Sequence, residues 1–266
     1  QDGVTVNSVS QLALSATTNA CSGGGSCLLN DRPPVLLDAS YNGYPFRVLA
    51  IYDRSLGSLS EKAYVGQKRR AQAEQIAKIV QALQTNGGTL SGDEACSAQV
   101  DGTGTSTNCT LAISGSSTIP LVVLGDFNAN EFSDGYVDVT GTIMGTVDTD
   151  PTHSIYAPTA SYVAPNPTLI SAAEPALDPA THPLDWNPNY SYSFDGISEE
   201  IDHILVTRSG WKDFVRISHA KGNSDVSSAS PDINDPNTPR RLSDHDGQVI
   251  TFIVDRIFAD GFDSAQ

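Results

Sequence analysis

Apolar residues in this chain fall in short runs separated by long polar stretches. Leu121-Val122-Val123-Leu124 is the clearest run, four apolar residues of which two are β-branched, and it reads as a buried strand. Phe46-Arg47-Val48-Leu49-Ala50-Ile51-Tyr52 reads as a second strand and Ile201-Asp202-His203-Ile204-Leu205-Val206-Thr207 as a third. Trp211–Ile217 and Gln248–Val254 follow as further strands, and a short one is expected near Val35–Leu37, where Pro33-Pro34 argues against a helix. Only one segment carries a helical period. From Gln67 to Thr85, Ala71, Ala73, Ile76, Ala77, Ile79, Val80 and Leu83 form an apolar stripe. Lys68, Arg69, Gln72, Gln75 and Lys78 lie mostly off that stripe, and Asn86-Gly87-Gly88 stops the helix. The basic start Lys68-Arg69-Arg70 therefore reads as a solvated face. The rest of residues 1–44 reads as irregular, 88–117 as a polar loop and 131–190 as a long loop region, a length that often carries function. Strand, helix and strand, then strands and long loops, predict a layered α/β domain with a single core.

Three polar clusters sit beside these strands: Asp126 with Asn128, Asp202 with His203, and Asp244 with His245. Gly125 lets the backbone turn after the Leu121 run. If the chain stays extended, the D-x-N spacing puts Asp126 and Asn128 on one side of it. Each cluster alone is an ordinary turn or strand start. Together they offer three carboxylates, two imidazoles and an amide, the inventory for metal-assisted phosphodiester hydrolysis. One Asp orients or deprotonates water, the Asn holds the phosphate, a carboxylate-oriented His contacts the phosphate or moves a proton, and a metal neutralises charge.

Charge bears on the substrate. The chain has 266 residues and a net charge of −16, which repels nucleic acid and anionic membranes over long range. A dedicated nucleic-acid-binding module is thereby disfavoured, while an enzyme that recruits Mg²⁺, Mn²⁺ or Ca²⁺ through its carboxylates is not. No run of 18 apolar residues is present, so no membrane span is expected. Four cysteines in Gly/Ser-rich loops suggest two disulfides, with the local pairs Cys21–Cys27 and Cys96–Cys109 preferred among three pairings. No signal peptide is visible. The chain opens at Gln1 without a Met, so a leader or a longer segment is expected to have been removed.

Gly125-Asp126-Phe127-Asn128-Ala129, followed by Asp202-His203 before an apolar strand and by Ser243-Asp244-His245, resembles the endonuclease/exonuclease/phosphatase superfamily, the deoxyribonuclease I-like fold. Tyr190-Ser191-Tyr192-Ser193-Phe194-Asp195-Gly196 looks like the segment leading to that strand in secreted bacterial members. Arg32-Pro33-Pro34, Asp53-Arg54-Ser55-Leu56 and the Lys68–Leu83 helix complete the order, so the resemblance runs from about residue 30 to residue 255. It implies an α/β (α+β) fold: a four-layer sandwich of two packed, mainly antiparallel sheets with outer helices, over residues 1–256, with a tail at 257–266. Ile257-Phe258-Ala259-Asp260-Gly261-Phe262-Asp263 in that tail resembles a short ending found on secreted proteins of some Gram-negative bacteria.

The resemblance also implies roles. Asp126 would orient the nucleophile and bind metal, Asn128 would contact the phosphate, and Asp202 would support the site. Asp244 and His245 would form the terminal pair, Asp244 toward metal and His245 on the scissile phosphate. Tyr52 falls where many members have a His and where the abasic-site endonuclease branch has a Tyr, so it either contacts phosphate or packs. Arg54 and His203 are expected to contact substrate. Mg²⁺, or Mn²⁺ or Ca²⁺, is the implied cofactor, nucleic acid the implied substrate, and a secreted or periplasmic monomer the implied state. Lipid phosphodiesters are the alternative substrate, and a non-catalytic module of the same fold the alternative role. Family members begin with a strand carrying an Asn and then the metal-binding Glu. Residues 1–44 contain no Glu, so a domain incomplete at its N-terminus is expected.

Overall fold

The computed structural model describes residues 3–57, 62–103, 106–107, 113–150, 152–173, 190–226 and 242–254. Eight strands make one sheet, in the spatial order β7 (Ser106–Thr107), β6 (Cys96–Asp101), β1 (Val4–Leu12), β4 (Val35–Tyr41), β5 (Tyr44–Tyr52), β8 (Leu121–Asp126), β12 (Asp202–Val206) and β9 (Ile170–Ser171). All neighbours pair antiparallel except β5 and β8. That parallel pair needs a crossover, and helix α1 (Lys62–Gln84) lies within it. Two-stranded ribbons complete the strands: β2 (Thr17–Thr18) with β3 (Cys27–Leu28), β10 (Tyr192–Phe194) with β11 (Ile197–Glu199), and β13 (Phe214–Ala220) with β14 (Gly247–Phe252). Short helices α2 (Val139–Met144) and α3 (Arg208–Trp211) lie in the connections.

The two faces of the sheet are covered differently. On one, Leu12, Leu36, Leu49, Ile51, Leu121, Val123 and Leu205 pack with Ala73, Ile76, Ile79, Val80 and Leu83 of α1 and Val139 and Ile143 of α2. On the other, Val122, Ile204 and Val206 meet Phe214, Ile217, Ile250 and Phe252 of the β13–β14 ribbon. Beside that ribbon an apolar groove of about 370 Å³ remains, lined by Val4, Tyr41, Phe46, Val48, Leu124 and Ile250 among others. The fold is thus mixed α/β. The described residues form three layers: helices, the large sheet and the ribbon. They do not form a second large sheet.

Several elements depart from the sequence reading. β1 and β6 lie where irregular chain and a polar loop were expected. In β1 the alternation that marks a strand is interrupted, because the register against β4 shifts between Val6 and Ser8 and a bulge moves the inward set to the other parity. β6 is polar along its length and is held by β1. The helix starts five residues before the expected Gln67, at Lys62. Its polar residues are not a solvated face: Lys68, Arg69, Gln72 and Gln75 are all buried. Gly125 lies inside β8 rather than after it. Its φ is +141°, and a Cβ there would come within 2.0 Å of the Ile51 carbonyl oxygen, so the parallel approach of β5 requires glycine.

Cys21 and Cys27 are bonded to each other as expected. Cys96 is also disulfide-bonded; its expected partner, Cys109, lies outside the described residues, as does the tail at 257–266. No helix among the described residues is long and apolar enough to cross a membrane.

Candidate active site

Period-2 alternation decides which face each polar residue takes. In β8, Leu121 and Val123 face the helices, while Val122, Leu124 and then Asp126 face the ribbon. In β12, Ile204 and Val206 face the ribbon, which places Asp202 there and turns His203 to the helices. Asp202 is the register partner of Asp126, and Tyr52 is the register partner of Asp126 on the other side. Tyr52, Asp126 and Asp202 therefore form a row across three neighbouring strands at one end of the sheet. His245, just before β14, reaches this row: its Nδ1 lies 2.6 Å from Asp202 Oδ2.

Asp126 is held by Asn128. The Asn128 backbone N–H donates to Asp126 Oδ1 at 2.7 Å and its side-chain amide to Oδ2 at 2.9 Å. The chain does not stay extended past Gly125; Asn128 sits at φ +49°, and this turn, not strand geometry, folds its amide back. The second amide hydrogen goes to the Asp53 carbonyl at 2.8 Å. Both Nδ2 donors are therefore taken within the chain, and the geometry makes Asn128 a holder of Asp126 rather than a phosphate donor.

Two residues that the sequence reading left out hold this turn from behind. Arg69 of α1 is 0 % exposed. Its Nη1 donates to the Arg54 carbonyl and, at 2.8 Å, to the Asn128 carbonyl, while Nη2 pairs with Asp134 Oδ2 at 2.9 Å. One guanidinium thus ties together the chain after β5, the turn after β8 and the following loop. A signal for it exists, since position 69 extends the Ala73, Ile76, Val80 stripe by one helical step. Asp53 is 2 % exposed, its backbone N–H donates to the Asp126 carbonyl at 2.9 Å, and its Oδ2 has no partner.

Electrostatics follow from burial. Burial pushes the Asp53 carboxyl up to about 7, with the Asp126 charge adding and Arg69 opposing. Burial also lifts Asp126 to about 6; Asp202 adds, while the Asn128 bonds and His245 oppose. His245 is raised above its ordinary value, chiefly by its hydrogen bond to Asp202, against the opposing effect of burial. With Nδ1 bound to Asp202, Nε2 is the nitrogen of the imidazole left to work on a ligand.

The remaining expected residues are placed as follows. Tyr52 is half-buried, with the Arg32 guanidinium 4.0 Å over its ring. Arg54 pairs with Asp31 at 3.1 Å. Asp244 is exposed beside His245, its near contact being Ser243 Oγ at 3.5 Å. His203 is 2 % exposed, bonded through Nε2 to the Ala129 carbonyl at 2.6 Å and edge-on to Phe127. It serves the core on the helix side and does not reach the row. Tyr192, unexpected as a site residue, lies with its ring 4.8 Å from that of His245.

Crowded carboxylates of raised pKa favour a hard cation. Even so, no group of three His, Cys, Asp or Glu among the described residues is gathered closely enough to hold one. Asp126 and Asp244, the expected metal ligands, belong to no such group. With its own side chains the site can orient a water at Asp126 and present the His245 Nε2 to an anionic group.

No family model matches the chain, and no curated protein matches it. Solved structures of the endonuclease/exonuclease/phosphatase family do match over most of its length. With the endonuclease/exonuclease/phosphatase from Bacteroides vulgatus the identity is 13 %, over 96 % of this chain and 68 % of that one, with a TM-score of 0.46. With D. rerio TDP2 complexed with single strand DNA product the values are 10 %, 95 %, 69 % and 0.46. With the human Nocturnin catalytic domain they are 15 %, 94 %, 62 % and 0.39. At these identities and scores the likeness extends to the path of the chain and no further.

Proposed function

We propose that this chain hydrolyses phosphodiester bonds with the help of Mg²⁺ or Mn²⁺, as an extracellular nuclease. One observation carries the reading: Asp126 and Asp202 stand on paired strand positions, and Asp202 holds His245 at 2.6 Å. A carboxylate lifted to about 6 is a competent base near neutral pH. In this reading a water oxygen attacks phosphorus as Asp126 takes its proton, and the bond to the leaving sugar oxygen breaks as that oxygen takes a proton from solvent. Asn128 keeps Asp126 in one orientation, and the His245 Nε2 donates to a non-bridging phosphoryl oxygen. Tyr52, at the other end of the row, is placed to contact the same group. A bound cation would offset the repulsion between the carboxylates and the phosphate, with Asp126 and Asp244 as its ligands from this chain. The Cys21–Cys27 disulfide supports an oxidising compartment. A four-layer sandwich belongs to the same reading, the β13–β14 ribbon being part of its second sheet.

Nicking of a supercoiled plasmid tests it. The wild type should nick with Mg²⁺ or Mn²⁺ and stop with EDTA, and Asp126→Ala and His245→Ala should each lose activity by roughly 100-fold or more. A folded wild type that nicks with no divalent metal would sink the proposal. The rival reading is a non-catalytic module, and the incomplete set of metal donors among the described residues favours it.

A further inference from the structure

The β10–β11 ribbon stands beside the Asp202–His245 pair and, among the described residues, pairs with no other strand beyond a single bridge between Tyr192 and His245. Its register sets Tyr192 opposite Glu199, Ser193 opposite Ser198 and Phe194 opposite Ile197. Directly opposed residues share a face, so one face carries Tyr192, Phe194, Ile197 and Glu199 and the other carries two serines. Asp195 (φ +49°) and Gly196 (φ +82°) close the turn as a tight two-residue hairpin. The apolar face is not buried: Phe194 is 58 % exposed and Ile197 is 63 % exposed.

The rings are ordered. The His245 and Tyr192 centroids are 4.8 Å apart, and Tyr192 and Phe194 lie 6.5 Å apart with planes only 12° from parallel. A row of three rings thus runs outward from the imidazole to solvent. This face of the ribbon carries no cation, and Glu199 is an anion, so it is unsuited to phosphate. It offers flat π faces in line with the place where a phosphate would be cut. We propose that Tyr192 and Phe194 are a stacking platform for the unpaired bases of a single-stranded nucleic acid flanking the scissile phosphate. The proposal rests on the phosphodiesterase reading above and names its substrate class.

Stacking suits this row better than insertion into a lipid surface. Phe194, at the tip, continues a line of rings that begins at the site, so the exposed apolar surface is joined to the site through Tyr192.

The test compares a labelled single-stranded DNA oligonucleotide with a strand of equal length whose sugars carry no bases. Phe194 is exposed, so Phe194→Ala should fold normally. It should raise KM for the base-bearing strand by about tenfold, in the range of one lost base–ring stack, with kcat within twofold. On the base-free strand KM should move less than twofold, and Phe194→Trp should restore binding of the base-bearing one. The same pair of strands read by fluorescence anisotropy, without hydrolysis, separates the two ideas. A wild type that cuts neither strand but loses tenfold affinity on Phe194→Ala retains the platform and refutes the hydrolase. Equal effects on both strands, or none on the base-bearing strand, overturn the platform. So does co-sedimentation with phosphatidylcholine–sphingomyelin vesicles that Phe194→Ala abolishes while leaving strand binding intact.

Discussion

The two faces of the large sheet are built from the same strands and do opposite work. The helix face is closed: Leu49, Val123 and Leu205 are sealed under α1, and even its charged residue, Arg69, is fully buried and bonded. Among the described residues the ribbon face is covered over β8 and β12, keeps the groove at Phe46 and Val48, and carries the row Tyr52, Asp126, Asp202. Successive residues of one strand serve both: Asp202 faces the site and His203 the core. Rigidity on one face is what allows two carboxylates to stand side by side on the other, because the raised pKa of Asp126 means that its ionised form is unfavourable there and must be held in place by something else.

The largest effect should come from Arg69→Leu. It removes the cation from Asp134, whose Oδ1 keeps only the Tyr136 and Val137 backbone N–H groups, and takes a donor from two backbone carbonyls, so a loss of about 3–5 kcal/mol of stability is expected in denaturant titrations. Arg69→Lys should keep the charge but not the fork, and so should fold while losing kcat more than KM. Next is Asp53→Asn. An aspartic acid ordinarily titrates near 3.8, and this one titrates near 7 in the folded chain, so between those values it binds more protons folded than unfolded. Wild-type stability from this group therefore falls as pH rises from about 4 to about 7. The variant should show a flatter Tm profile over that window and be the more stable protein at pH 8; parallel profiles would show that Asp53 is not strained by its charge. Asp202→Asn acts on the open face. His245 is held above its ordinary pKa mainly by Asp202, so without the carboxylate it should lose its proton at lower pH. The fall in activity on the alkaline side should shift downward, as a pH–rate profile would record. The smallest effect is Val4→Ser at the groove margin. Val4 is 49 % exposed, and a change within about 0.5 kcal/mol is expected; a larger loss would mean that the groove is covered after all.

The same division explains what the sequence could disclose. Asp126, Asp202 and His245 are legible because each stands beside an apolar run, and strand ends are where such residues act. Their convergence is not legible, since it depends on the β5–β8–β12 order. β1 is hidden by its bulge and β6 by its polarity. His203 looks as promising as Asp202 until alternation is assigned to faces. Asn128 is found for its type but not for its task, because a left-handed turn redirects its amide to Asp126 and Asp53. Arg69 and the other buried polar residues of α1 read as surface because a basic run ordinarily is solvated. Tyr192 and Phe194 lie in a recognisable segment, yet their ring alignment is a property of the hairpin register alone.

The register that aligns the row also schedules it. Asn128 and Asp53 are 75 residues apart in the chain, and His245 and Asp202 are 43 apart. Contacts this distant form only after costly loop closure and set the pace of folding. The Asp–Asn and Asp–His pairs meet beside Asp53 only once the whole stretch from Asp53 to His245 is in place, and no shorter contiguous piece of the chain carries the row with its supports.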